Sequence, residues 1–147
     1  MAGSGDDHHL PRGGGSGQAA GGHLGYSAWT TVDQDRANCF AEATGDHQWI
    51  HVDPARAARE SPFGGPVAHG YLTLSMVPSL IPQIYVVEGV AMTVNYGCDR
   101  VRYPSPVPVG SELRMGAHLP SVEPVSESAY QVKVTFTFEV RGVTKPS

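Results

Sequence analysis

The chain has 147 residues, a formal net charge of −4 and 40% hydrophobic residues, with charges of both signs mixed along it. That is a one-domain length with the composition of a globular protein. There is no basic run to hold nucleic acid or an anionic membrane surface, and no stretch near the roughly 20 apolar residues of a membrane span.

Met1 to Gly22 is rich in Gly, Ser, Ala and Asp. Such a segment cannot bury enough apolar surface to order itself, so a disordered tail is expected over 1–22 and one domain over 23–147. That leaves about 120 residues to build a core. The His8-His9 pair is expected to be solvated rather than metal-bound. The N-terminus carries no apolar signal core, so cytoplasmic residence is expected.

Leu24 to Trp29 reads as a short edge strand or an extended lead-in. Thr31 followed by Gln34 is a capping-box pattern, which predicts a helix over 32–43 with Gly45 ending it. Ala37, Phe40, Ala41 and Val32 would form its inner face; Asp33, Asp35 and Arg36 would form the outer one. Asp53-Pro54 reads as the cap and first residue of a short helix over 55–59, stopped by Ser61-Pro62. Phe63-Gly64-Gly65-Pro66 is a loop. Tyr71 to Leu80 is the most apolar helix candidate, covered on nearly all faces, and such a helix belongs in a core. Pro78 inside it should kink or shorten it.

After Pro82 the period changes from helical to alternating. A short strand is expected over Tyr85 to Glu88. Another is expected over Val90 to Tyr96, continuing through Val101 and Tyr103 with an irregularity near Gly97. Pro104, Pro106 and Pro108 mark a stiff loop. Glu112 to Leu119 alternates through Leu113, Met115 and Ala117. Tyr130 to Val140 alternates most strictly, with Tyr130, Val132, Val134, Phe136, Phe138 and Val140 on one face. Cys39 and Cys98 fall in a predicted helix and a predicted strand, where buried free thiols are expected. Helices first and long antiparallel strands afterwards make an α+β fold in which the sheet wraps the apolar helix.

The candidate chemistry lies in Ala43-Thr44-Gly45-Asp46-His47-Gln48-Trp49-Ile50-His51-Val52-Asp53-Pro54. A strand would place Asp46 and His51 on opposite faces, and a helix would turn them about 140° apart, so they meet only across a bend. Gly45 and Pro54 bracket such a bend. A carboxylate beside an imidazole is an acid–base pair, the carboxylate fixing the tautomer of the ring. The same residues also admit a structural reading, with Asp46 as a helix cap and His51 as a partly buried histidine. His47 and His51 have a helical metal-ligand spacing, but no third ligand has matching spacing, so no metal is expected. The amides of Gly70 and Tyr71, at the start of the apolar helix, would be unpaired donors suited to a carbonyl that gains charge. Gly70 could equally be a turn residue.

Together these motifs resemble the MaoC-like, or (R)-specific, enoyl-CoA hydratases (hydratase 2). The resemblance rests on the 43–54 segment, on Ala68-His69-Gly70-Tyr71-Leu72, on Asn95-Tyr96-Gly97 through Val101-Arg102-Tyr103-Pro104, and on Pro106-Val107-Pro108-Val109-Gly110, and it covers about 23–146. Two departures are visible. Gln48-Trp49 stands where the family usually has Asn-Pro. Family members also continue past the Lys145-Pro146 position with one more strand, so the final strand is expected to be missing here.

The resemblance implies a hot-dog fold, an antiparallel sheet around a central helix, usually in a dimer. It implies addition of water to a trans-2-enoyl-CoA to give a (3R)-3-hydroxyacyl-CoA. Asp46 and His51 would be the catalytic pair and the Gly70 backbone N–H the oxyanion donor, without metal or redox cofactor. The partners implied are an acyl-CoA thioester and a second copy of the chain. Two other functions stand beside this one. A non-catalytic or partner-dependent subunit binding acyl thioesters would suit the short C-terminus. An acyl-CoA thioesterase would share the pocket but typically lacks the Gly-Asp…His arrangement.

Overall fold

The computed structural model describes residues 8–10 and 21–147. Most of the expected tail therefore lies outside the described residues. Within it, His8–Leu10 (β1) pairs in parallel with Tyr85–Val87 (β4), His8 opposite Tyr85 and Leu10 opposite Val87.

The first helix, α1, spans Gln34–Thr44, and its cap is Asp33 rather than Thr31. The Asp33 carboxylate accepts the Arg36 N–H at 2.8 Å. Thr31 is instead part of a two-residue strand, β3 (Thr30–Thr31), and the Gln34 side chain turns away to Asn38 and to the carbonyl of His51. Gly45 ends α1 at φ 78°, a left-handed geometry suited to glycine, and its N–H reaches the Ala41 carbonyl at 2.8 Å. Ala37 and Ala41 are fully buried, and Phe40 is half-buried beside them.

A single turn, α2 (Trp49–Val52), precedes α3 (Pro54–Glu60). Asp53 caps α3 through the Arg56 N–H at 2.9 Å, with Pro54 in the first turn where its missing N–H costs nothing.

The apolar helix is broken as Pro78 requires. It runs as α4 (Gly70–Ser75) and α5 (Val77–Leu80), joined at Met76 and followed by a 3₁₀ turn over Ile81–Gln83. It is not buried all round. Leu72, Thr73, Met76 and Leu80 face the core, whereas Tyr71 is 69% exposed.

The central strand of the sheet is β5 (Glu112–Ser126). One edge pairs antiparallel with β6 (Ala129–Val140), from Leu113 opposite Val140 to Ser126 opposite Ala129. The other edge takes β2 (Gly22–Tyr26) and β3 in succession, Tyr26 opposite Gly116 and Thr30 opposite Leu113. Ser27 bridges the gap between them: its N–H reaches the Met115 carbonyl at 2.8 Å and its hydroxyl accepts the Met115 N–H at 2.9 Å. The inward residues of β5, Leu113, Met115, Ala117 and Leu119, share one core with Leu72, Met76 and Leu80. The sheet thus packs on the α4–α5 helix, as the alternation requires.

Three further expectations fail for physical reasons. The apolar face of β6 is fully buried only at Phe138 and Val140, with Val134 and Phe136 partly buried against the core; Tyr130 and Val132 are exposed, because the far half of the β5–β6 hairpin has no layer over it among the described residues. The strand expected over 90–103 does not form. A strand needs a ladder partner, and none of the described residues pairs with this stretch, so its alternation buries nothing: Met92 is 75%, Val94 73% and Tyr96 90% exposed. Finally, Cys39 and Cys98 are free thiols but exposed. Cys39 lies off the buried Ala37–Ala41 line of α1, and Cys98 lies in the unpaired stretch. Among the described residues no helix is long and apolar enough to cross a membrane.

Candidate active site

The bend between α1 and α2 does what the spacing demands. Asp46 lies just past the left-handed Gly45, and His51 lies in the turn of α2. Asp46 and His51 converge with a third residue, His69, which the sequence reading did not single out. One carboxylate oxygen of Asp46 and one ring nitrogen from each histidine lie within 4.8 Å of one another. No direct hydrogen bond joins the Asp46 carboxylate to the His51 ring among the described residues, and a gap of that size suits one bridging water.

The tautomer of His51 is set by a backbone group, not by Asp46 as expected. Its Nδ1 lies 2.6 Å from the carbonyl oxygen of Val67. A carbonyl only accepts, so Nδ1 carries the proton and Nε2 of the neutral ring keeps its lone pair. Several contacts hold this arrangement. Val67 N–H donates to the Ile50 carbonyl at 3.1 Å, tying the 66–69 segment to α2. Gln34 of α1 donates to the His51 carbonyl at 2.7 Å. Ala68 N–H donates to Val107 at 2.8 Å, tying the same segment to the proline-rich loop.

His69 is buried, 2% exposed, and its ring stacks on His51 with centroids 3.9 Å apart and planes 27° apart. Its Nε2 lies 2.9 Å from the backbone carbonyl of Asp46. Phe40 of α1 packs on it at 5.0 Å. By residue type and spacing the trio could also hold a metal ion, with one ring nitrogen of each histidine already against a backbone carbonyl. His47, the other member of the i,i+4 histidine pair, is not part of the cluster and lies 3.7 Å from Glu42.

Gly70 follows His69 as the first residue of α4, and the Leu72 and Thr73 N–H groups turn back to the His69 carbonyl. The amides of Gly70 and Tyr71 have no intrahelical acceptor. The glycine is required by space. A Cβ on Gly70 would come within 2.8 Å of the Tyr103 ring, at ring atoms that cannot simply swing aside. Tyr103, which the sequence reading treated only as part of a strand, thus roofs the start of α4, edge-on to Tyr71 at 5.9 Å. Burial, then the neighbouring Tyr71 and Cys98, raise the Tyr103 phenol above its ordinary range, so it stays a neutral wall.

His51, Gly70 and Tyr103 line a cleft of about 380 Å³ together with Phe63, Val67 and Val107. Asp46 is exposed and is not among its walls. The cleft thus offers one basic nitrogen, one unpaired amide and an apolar lining, a set suited to a small organic acyl group.

The sequence matches the family described as "MaoC like domain" over residues 16–140. It is 50% identical over 129 residues to a 3-hydroxyacyl-thioester dehydratase Z of Mycobacterium tuberculosis, covering 88% of this chain and 85% of that one. Two solved structures share the fold. An R-hydratase from Pseudomonas aeruginosa superposes with a TM-score of 0.66 at 20% identity, covering 86% of this chain and 74% of that one. An (R)-hydratase from A. caviae involved in PHA biosynthesis superposes with a TM-score of 0.65 at 21% identity, covering 86% and 89%. The sheet-on-helix arrangement described above is thus a hot-dog fold.

Proposed function

Because this chain belongs to the MaoC-like dehydratase family and is a hydro-lyase, we propose that it catalyses the reversible (R)-specific hydration of trans-2-enoyl-CoA to (3R)-3-hydroxyacyl-CoA. The observation that carries the proposal is the commitment of His51 Nδ1–H to Val67, which leaves Nε2 as the base on a ring clustered with Asp46.

Water is a weak nucleophile and must lose a proton as it attacks. His51 Nε2 takes that proton while the oxygen bonds to C3 of the enoyl thioester. Electron density moves through C2 to the thioester oxygen, giving an enolate. The Gly70 N–H, at the start of α4, faces that developing charge. Asp46 holds the water against His51 and relays the proton to C2, so the enolate collapses to the saturated 3-hydroxyacyl thioester. The atoms of one water are fully accounted for, with no redox change. In the dehydration direction the same groups exchange roles.

The working form is a homodimer. The alternating residues Met92, Val94 and Tyr96 are apolar and have no strand partner among the described residues, and Tyr71 on the unburied side of α4 is exposed as well. A second copy is the simplest source of a ladder partner and of cover for these side chains.

The test is to offer short- and medium-chain trans-2-enoyl-CoA to the purified protein and resolve the product. Formation of the (3R)-hydroxyacyl-CoA is the expected result. The (3S) product would overturn the stereochemical assignment, and release of free CoA would mark a thioesterase instead.

A further inference from the structure

Resting on the hydratase reading above, we infer that His69 is a positioning residue that holds Asp46 and His51 in one working geometry. His69 touches both members of the pair at once. Its Nε2 meets the Asp46 carbonyl at 2.9 Å, and its ring face lies on His51 at a centroid distance of 3.9 Å. Its backbone also starts α4, so the same residue fixes where the Gly70 amide begins.

The protonation pattern follows from the partners. The Asp46 carbonyl can only accept, so Nε2 of His69 is the donor. The other nitrogen, Nδ1, is buried and has no hydrogen-bond partner among the described residues. A buried ring nitrogen left unpaired is unfavourable. A phenylalanine would fill the same space without that cost. What it could not supply is the N–H to Asp46. The imidazole is therefore explained by its Nε2 side, not by packing.

The need for such a tie comes from the loop. Asp46 is exposed. Among the described residues the only other hydrogen bonds about it are long ones of 3.4 Å, its N–H to the Thr44 hydroxyl and the Gln48 N–H to its carboxylate. The His69 contact is the one short tie among them on the Asp46 backbone. Misplacing a catalytic group by about 1 Å can cost on the order of 10²-fold in rate. The stacked face does the complementary task, limiting how far His51 can rotate about its Val67 hydrogen bond.

The experiment is a double-mutant cycle on the full chain with trans-2-enoyl-CoA as substrate. His69→Phe keeps the stacked ring and removes the donor. It should lower kcat by about 10- to 100-fold while KM moves little. His69→Gln places an amide N–H near the lost Nε2–H and should recover much of that loss. In an Asp46→Asn background, His69→Phe should cost little more, since the group it positions is already disabled. A folded His69→Phe protein with near-native kcat, or the same fold-loss in both backgrounds, would overturn the inference.

A readout on the native protein stands apart from activity and from variant folding. The ¹⁵N shifts of the His69 ring should report a protonated Nε2 and a bare Nδ1. The opposite tautomer would overturn the inference even if neither variant folds. Absence of turnover in native protein that shows the expected tautomer would count against the hydratase reading, not against the tie.

Discussion

At the scale of single residues, the proposed site assigns each polar atom one task. The Val67 carbonyl accepts a hydrogen bond from His51 Nδ1–H at 2.6 Å, so Nε2 is the atom with the free lone pair. The Gly70 amide is left without a helical partner by its place at the start of α4. Gly70 is also where backbone and ring come closest, a Cβ there falling within 2.8 Å of Tyr103. Gly70→Ala should therefore push either α4 or the Tyr103 loop outward and move the amide away from the thioester oxygen we propose it serves. The expected outcome is a kcat loss of roughly 10²-fold for a shift near 1 Å, with the fold retained. Pairing it with Tyr103→Ala, which opens the space, should restore part of the rate. Steady-state kinetics on the single and double variants check this, and equal rates for Gly70→Ala and native protein would contradict it.

At the scale of elements, the helix and the sheet support each other and present the site at one end of α4. Leu80 is 2% exposed and sits where α5 meets the core. Leu80→Ala should destabilise the protein by about 2–5 kcal/mol, the transfer loss plus a cavity the surroundings fill only in part. Denaturant unfolding would measure it, and a change under about 1 kcal/mol would mean that α5 is not part of the main core. Much at this scale could be read from sequence, because it depends on local rules. Pro78 breaks the apolar helix, Gly45 ends α1, Asp53-Pro54 starts α3, and the alternation of Leu113, Met115 and Ala117 points inward. The cap of α1 was misassigned to Thr31 because two residues offered a side-chain oxygen and strand pairing claimed Thr31 for β3. The roles of His69 and Tyr103 were not legible. His69 meets Asp46 across 23 positions and Tyr103 meets Gly70 across a loop, and no periodicity encodes contacts of that kind.

At the scale of the whole molecule, the unpaired stretch over 90–103 decides what assembly to expect. Sequence alternation reads as a strand whether the ladder partner lies in the same chain or another, so the pattern alone could not say that the stretch stays unpaired among the described residues. Met92, Val94 and Tyr96 alternate along the sequence, and all are exposed. Such a row is a pairing hazard for a lone chain and an asset for a dimer. Light scattering should give twice the chain mass of 15.6 kDa. Val94→Glu with Tyr96→Glu should shift it toward the single mass. A monomeric native protein that is fully active would contradict the dimer.

The central claim is that Asp46 and His51 act on one water, and the most direct measurement is the loss of enoyl absorbance on adding protein to trans-2-enoyl-CoA. Asp46→Asn is the comparison, since it keeps the size of the side chain and removes its charge and its capacity to relay a proton. General acid–base groups contribute about 10²–10⁴-fold, and the variant should lose turnover within that range while unfolding at the native temperature. Asp46→Asn that hydrates the substrate at a near-native rate would contradict the account.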